Sequence, residues 1–340
     1  MQHVLSRKNL VGCFIFWVYS GVIEWVRRGK EVAVLKKIWA NSTVLLLFLV
    51  FLWGASWPIY KFTLPSTPPL LFAGMRAVIG GTLLGIILLK RLDKINWREN
   101  WRLYCITALF NTILFFGIQT VGLNYLPGGL FSILVYFQPV LLGLFAWIWL
   151  GEQMNAVKII GLLIGFLGIV VVSLDGLTFH VSVIGVALGL VTAVCWAFGV
   201  IYVKKVSHRL DAYWMVSLQS IIGGAFLLGT GTIFESWSDI LWNGRYLFGV
   251  SFGAVFGIPL AYIIYYKLIN EGEASKVGAF TFLVPIIAVF LGVVFLGEPV
   301  TYLLLIGLVM VGLSIFIVNY RGNKELLSFR KANNKIKESI

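Results

Sequence analysis

The chain of 340 residues is 59% hydrophobic and only 12% charged, with a mean hydropathy of +0.93. A soluble domain carries roughly 25% charged residues, so a soluble globular fold is excluded. The net charge of +13 invites a nucleic-acid reading, because basic clusters neutralise phosphates. Here, however, the basic residues sit in short links between apolar runs, as the positive-inside rule requires of a membrane protein, and no nucleic-acid partner is expected.

Residues 1–35 come first and fit the rest least well. Leu10–Val26 is apolar but holds Glu24 and is followed by Arg27-Arg28-Gly29-Lys30. It reads as an eleventh helix, an interfacial helix, an uncleaved signal-like segment or an extension outside the natural product, and the last is favoured because the repeat and the charge pattern both begin near Lys36. A spanning helix needs about 20 mostly apolar residues. Ten segments qualify: 42–63, 68–90, 103–122, 128–149, 155–175, 182–203, 211–233, 246–267, 277–297 and 300–319. All must be helical, since an unpaired backbone group in lipid costs several kcal/mol. Turn chemistry marks several links, as in Leu64-Pro65-Ser66-Thr67-Pro68 and Asp175-Gly176. A basic tail, 321–340, follows.

One stretch occurs twice. QPVLLGLFAWIWLGE at 138–152 returns as VPIIAVFLGVVFLGE at 284–298, so Pro139 pairs with Pro285, Gly151 with Gly297 and Glu152 with Glu298, while Gly161 and Gly307 keep the register. This divides the chain into a first repeat, 36–175, and a second, 176–320. An odd number of spans separates the copies, so the two halves face opposite ways, the usual build of a secondary transporter. Glu152 and Glu298 then stand at opposite membrane faces. Each is expected to accept hydrogen bonds from the start of the following helix, where the dipole favours negative charge.

The basic residues set the orientation. Lys36, Lys37, Lys90, Arg91, Lys94, Arg98, Arg102, Lys158, Lys204, Lys205, Arg209, Lys267, Lys276 and the tail from Arg321 to Lys337 fall on one side, against Lys61 and Arg245 on the other. Both ends of the ten-helix body are therefore expected in the cytoplasm.

Few residues carry chemistry. No Asp or Glu lies mid-span, His3, His180 and His208 lie in loops or at the terminus, and Cys13, Cys105 and Cys195 have no metal or disulfide spacing. No buried acid–base pair or ligand cluster emerges, so neither an enzyme nor a metal or other cofactor is expected. Arg76 is the sole basic residue deep in a span. Lipid exposure is too costly, so it faces the bundle interior, either capping carbonyls and locking helices or meeting a substrate carboxylate. Pro259 frees a mid-helix carbonyl and predicts a kink, structural or facing the substrate path. Glycines at small-xxx-small spacing (Gly81/Gly85, Gly161/Gly165, Gly185/Gly189, Gly249/Gly253/Gly257) predict close helix packing. Trp97, Trp101, Trp237 and Trp242 read as interfacial anchors. Deeper aromatics (Trp53, Trp57, Tyr136, Trp196, Tyr262, Tyr265, Phe282) are either apolar bulk or walls of a site, with Asn111, Gln119, Gln138 and Gln219 as its polar groups.

Taken together, Trp53-Gly54-Ala55-Ser56-Trp57-Pro58, Arg76, the Gly122–Gly128 link, the Pro139…Leu150-Gly151-Glu152 block and their echoes (Trp196 for Trp53, Lys204 for Lys61, Asn270 for Asn124, Pro285…Glu298) carry a resemblance. Over about residues 36–320 the chain resembles the EamA family of the drug/metabolite transporter superfamily. The resemblance implies an all-α membrane protein of ten transmembrane helices in two inverted five-helix repeats around a central cavity, alternating access, and export of small metabolites or drugs from the cell. It also implies a cavity lined by Trp53, Tyr136, Gln138, Trp196, Tyr262 and Phe282. The first reading is a secondary transporter that exports a small metabolite or amino-acid-like compound. The competing classes are a non-transporting membrane protein, either an assembly factor or a sensor (which would be expected to carry a soluble output domain), and a channel, which would line its pore with polar rings.

Overall fold

In a computed structural model of the protein, residues 41–122, 125, 131, 134–173, 182–296 and 302–320 are described. Residues 1–35, the Gly128 end of the first-half link, Asp175-Gly176, Gly297, Glu298 and the basic tail lie outside them.

Among the described residues the chain is helical and holds no strand. The helices are α1 (Ser42–Thr63), α2 (Pro69–Ile87), α3 (Trp97–Gly122), α4 (Gln138–Leu150), α5 (Ala156–Ser173), α6 (Val183–Val206), α7 (Ala212–Phe234), α8 (Gly244–Glu271), α9 (Ala274–Thr281), α10 (Leu283–Leu296) and α11 (Tyr302–Tyr320). Six of them, α1, α2, α3, α6, α7 and α8, are long and apolar enough to cross a membrane, and shorter apolar helices accompany them.

Short polar residues start the helices by satisfying their first backbone N–H groups. Asn41 accepts from Thr43 and Val44, Asn155 from Lys158, Ser182 from Gly185, Asp211 from Tyr213 and Trp214, and Asn243 from Arg245 and Tyr246. Gly151 ends α4 at φ 66°, a left-handed conformation that glycine adopts without penalty. Most boundaries shift by a few residues from the sequence expectation; the second helix ends at Ile87, the sixth runs to Val206 and the eighth covers Gly244–Glu271, while α4 starts only at Gln138. Two differences change the architecture. The third helix begins at Trp97 rather than 103, because Arg98, Glu99 and Arg102 lower local hydropathy without opposing helix formation. The ninth span is broken at Phe282 into α9 and α10.

Both α3 and α8 contain a π-helical stretch, Leu109–Leu114 and Gly253–Leu260. The second holds Pro259, whose missing N–H removes one rung of the ladder. π-Bulges are local irregularities enriched at functional sites.

α2 packs along α7 and α5 along α11, while α1 meets α10 and α8, and α6 meets α4 and α3. The α2–α7 pair is tied at both ends. The Glu235 carboxylate accepts from the N–H groups of Leu70 and Leu71, both at 2.9 Å, and Trp214 Nε1 donates to the Arg91 carbonyl at 2.8 Å. Between them Ser217 Oγ donates to the Gly81 carbonyl at 2.8 Å. On the other pair, Gly161 and Gly165 bring α5 against Ile317, Val318 and Ser314 of α11, the close approach that small residues allow between helices in lipid. Trp97, Trp101, Trp237 and Trp242 stay exposed.

Candidate functional site

A cavity with about 510 Å³ of empty space, counting its open mouth, lies among α1, α2, α3, α6 and α8 and the turn before α4. Trp53, Ser56, Trp57 and Tyr60 line it from α1, at the i, i+3, i+4, i+7 spacing that puts residues on one helix face. Arg76 enters from α2, Phe115, Phe116 and Gln119 from α3, Val135 and Tyr136 from before α4, Trp196 from α6, and Gly257, Ile258 and Tyr262 from α8. The α3 contributors directly follow one π stretch, and Gly257 and Ile258 lie within the other.

The aromatic rings contact one another edge to face. Trp53 meets Trp196 at 5.5 Å and Tyr262 at 5.8 Å between centroids, and Trp196 meets Tyr136 at 6.1 Å. Such pairs contribute about 0.5–1.5 kcal/mol each beyond area burial. Trp57 Nε1 donates to Tyr136 Oη at 3.3 Å, holding two rings of the wall together. Trp196 Nε1, by contrast, is buried without a partner.

Arg76 is 3% exposed. Its guanidinium carbon stands 4.2 Å from the Tyr60 ring centroid, 4.7 Å from Phe116 and 5.2 Å from Phe72, a cation held over aromatic faces. Nε has no hydrogen-bond partner, and none of the ion pairs among the described residues involves Arg76. Among the described residues no carbonyl accepts a hydrogen bond from it. Room for this arrangement comes from α8. A Cβ built on Gly257 would lie 2.3 Å from Tyr60 Oη, and one on Gly253 2.9 Å from Arg76 Cδ.

Of the residues expected in the cavity, Trp53, Trp57, Arg76, Tyr136, Trp196 and Tyr262 line it. Gln138 is buried beside Tyr265, and Phe282 is buried at the α9–α10 break against Gly165 of α5; neither reaches the lining. Of the other polar candidates, Gln119 lines the cavity, Asn111 packs on Gly199, and Gln219 donates to Tyr266 Oη at 3.4 Å. Ser56 and Tyr60 were missed, although the helical period from Trp53 and Trp57 points to both. Phe115 and Phe116 carry no such signal.

A second polar cluster closes one end of the bundle. Pro139 is buried in the first turn of α4, and Pro285 is buried in α10. Beyond α4, Glu152 Oε1 accepts from the Ala274 N–H at 2.7 Å and Lys204 Nζ at 2.9 Å. Its Oε2 accepts from the Ser275 N–H at 3.3 Å and Ser275 Oγ at 2.9 Å. Glu152 thus caps α9 rather than the following helix, α5, whose start Asn155 already serves. Lys204 Nζ also donates to the Gly272 carbonyl at 2.6 Å. Lys158 and Lys276 each donate to Glu273 at 2.5 Å. Burial alone would raise the Glu273 pKa, but those two hydrogen bonds bring it below the usual 4.5. No cluster of three or more His, Cys, Asp or Glu able to hold a metal occurs among the described residues.

These features meet in one class, the polytopic membrane transporters. The sequence profile of the EamA-like transporter family matches residues 41–174 and again 183–320, so the chain belongs to that family and its domain occurs twice. The uncharacterized transporter YvbV of Bacillus subtilis is 48% identical over 285 residues, covering 84% of this chain and 93% of its own length. A protein of Escherichia coli named "Probable amino-acid metabolite efflux pump" is 26% identical, covering 83% of this chain and 96% of its own. A solved structure titled "Crystal structure of protein" superposes with a TM-score of 0.73 at 18% identity, over 83% of this chain and 98% of that one, a likeness of fold alone. The chain is a multi-pass membrane protein, and its family points to a transporter rather than an enzyme.

Proposed function

We propose that the protein is a secondary transporter that exports a small metabolite across the cell membrane by alternating access through the cavity described above. In this reading all ten segments span, the two five-helix halves are inverted relative to each other, and both ends of the ten-helix body are cytoplasmic.

The observation that carries the reading is the pairing of helices. An intramolecular two-fold axis relating spans one to five with six to ten exchanges each helix for its partner in the other half. Such an axis lets a helix pack against its own counterpart, as α2 does with α7 and α5 with α11. It requires that contacts of α1 with α8 and α10 be answered by contacts of α6 with α3 and α4, which is the pattern found. The cavity sits at the interface of the halves, with Trp53 and Trp196 face to edge across it. A site at the interface of inverted repeats is what rocking of one half against the other can expose to either side.

The test is a substrate screen in proteoliposomes that follows both uptake and counterflow. Saturable counterflow of at least one small metabolite is expected. Uptake that never saturates and shows no counterflow would instead indicate a channel, and inactivity across a broad screen would favour the non-transporting reading.

A further inference from the structure

From the surroundings of Arg76 we infer the substrate class: an organic anion whose carboxylate is held by Arg76 and whose aromatic or branched apolar body lies against Trp53 and Trp196. This rests on the transporter reading of the cavity and gives it a chemistry.

Three observations converge. First, Arg76 is almost fully buried, its Nε has no hydrogen-bond partner, and among the described residues it has neither a carboxylate nor a carbonyl partner. A guanidinium inside a membrane protein is costly unless paired or solvated, so an unpaired one opening on a cavity marks a place for an anion. Tyr60, Phe72 and Phe116 surround it, and cation–π attraction holds the fork while leaving it free to donate to a ligand. Second, the lining offers donors and no anion. The segments 41–92, 100–151, 176–210 and 240–270 supply every lining residue, and none contains an Asp or Glu. A cationic group on the ligand therefore finds no counter-ion, whereas a carboxylate finds a bidentate partner. Trp196 Nε1, buried and unpartnered, adds a further donor. Third, the remainder of the wall is aromatic, complementary to a flat or branched apolar body. The cavity therefore prefers monoanions to neutral, zwitterionic or cationic compounds of the same shape.

The experiment measures binding of two shape-matched series to the purified full chain in detergent: phenylacetate, phenylacetamide and phenethylamine, and indole-3-acetate with its amide and amine. Quenching of tryptophan fluorescence and thermal shift give the readout. For the wild type, the carboxylate should bind at least about tenfold more tightly than its amide or amine, since a hydrogen bond to a charged group is of that order. Arg76→Gln should erase the preference of carboxylate over amide, and Arg76→Lys should keep part of it. The inference is overturned by amides or amines binding as tightly as the acids, by a preference that survives Arg76→Gln, or by binding of neither acid. The wild-type comparison decides even where Arg76→Gln does not fold. Counterflow of the bound acid separates the two readings. Carboxylate binding through Arg76 without counterflow refutes the transporter reading alone, and counterflow of neutral or cationic compounds without any Arg76-dependent preference refutes this inference alone.

Discussion

Glu152 and Lys204 stand 2.9 Å apart, one at the end of the fourth helix and the other at the end of the sixth. Their side chains are only 11% and 18% exposed, so the pair is far less screened than a surface salt bridge. Because the same carboxylate caps α9 and the same ammonium holds the Gly272 carbonyl, one ion pair fastens three separate stretches of chain. The two residues belong to different copies of the family domain, so any motion of one half against the other must break or carry this contact.

Glu152→Ala should therefore lower thermal stability in detergent by about 1–3 kcal/mol, combining a lost cap with a lysine left without its carboxylate. A double-mutant cycle with Lys204→Met should give a coupling of about 0.5–3 kcal/mol. Additive single-mutant effects would show that the contact is not energetically shared.

Glu273 predicts the acid limb of stability. Its folded pKa is lowered by hydrogen bonds from Lys158 and Lys276. A carboxylate with a depressed folded pKa contributes stability that is fully present above the unfolded value and is lost as pH falls through the folded one. Its contribution should stay constant from neutral pH down to about 5 and decline below the usual 4.5. In Glu273→Gln that part of the decline should disappear from thermal unfolding curves between about pH 5 and 3.

Gly257 predicts a steric coupling inside the cavity. A Cβ there would lie 2.3 Å from Tyr60 Oη, so Gly257→Ala forces the tyrosine off the guanidinium or separates α8 from α1. Overpacking of this kind costs about 1–3 kcal/mol. The variant should lose stability, and Tyr60→Phe, which removes the clashing oxygen, should restore part of it in the double mutant.

Much of this architecture is legible in the sequence because lipid leaves the backbone few options. Apolar runs locate the helices, while the capping residues Asn41, Asp211 and Asn243 fix the residue at which three of them begin. The two LGE blocks expose the duplication, and Arg76 stands out as a cost that needs a reason. The rest lies in features that hydropathy does not record. The π stretches shift the helical register, which hides Phe115 and Phe116 from a period of 3.6. Glu235 looks like an ordinary residue at a helix end, yet it caps α2 from the far side of a helix pair. Glu152 passes over the next helix to reach α9, a choice made by tertiary packing alone. Phe282 is displaced from the cavity by the break between α9 and α10, which its flanking residues do not announce.

Topology can be measured directly. In the proposed orientation the loop around Asn96 is cytoplasmic and that around Asn243 is external. Single cysteines at these two positions, in a background freed of the native ones, should be labelled in intact cells by an impermeant maleimide at 243 and not at 96. The reverse pattern would invert the protein, and labelling at both would break the ten-span arrangement.

Energy coupling is the last prediction. Carriers driven by protons usually relay them through a buried carboxylate or histidine, and the segments that line the cavity contain no Asp or Glu. Glu152 is the candidate nearest in sequence to the lining turn, but both its oxygens are engaged: one by the Ala274 N–H and Lys204, the other by the Ser275 N–H and hydroxyl. A carboxylate whose two oxygens are both taken up by helix-capping and ion-pair contacts holds helix ends together, and a proton passed through it would break those contacts. Glu152→Gln should accordingly retain part of its transport, with the loss appearing as lower stability and not as altered proton dependence. Counterflow in liposomes should proceed with no imposed pH or sodium gradient. Transport that strictly requires a proton gradient in the wild type, and loses that requirement or all activity in a stably folded Glu152→Gln variant, would assign the relay to this residue and overturn the prediction.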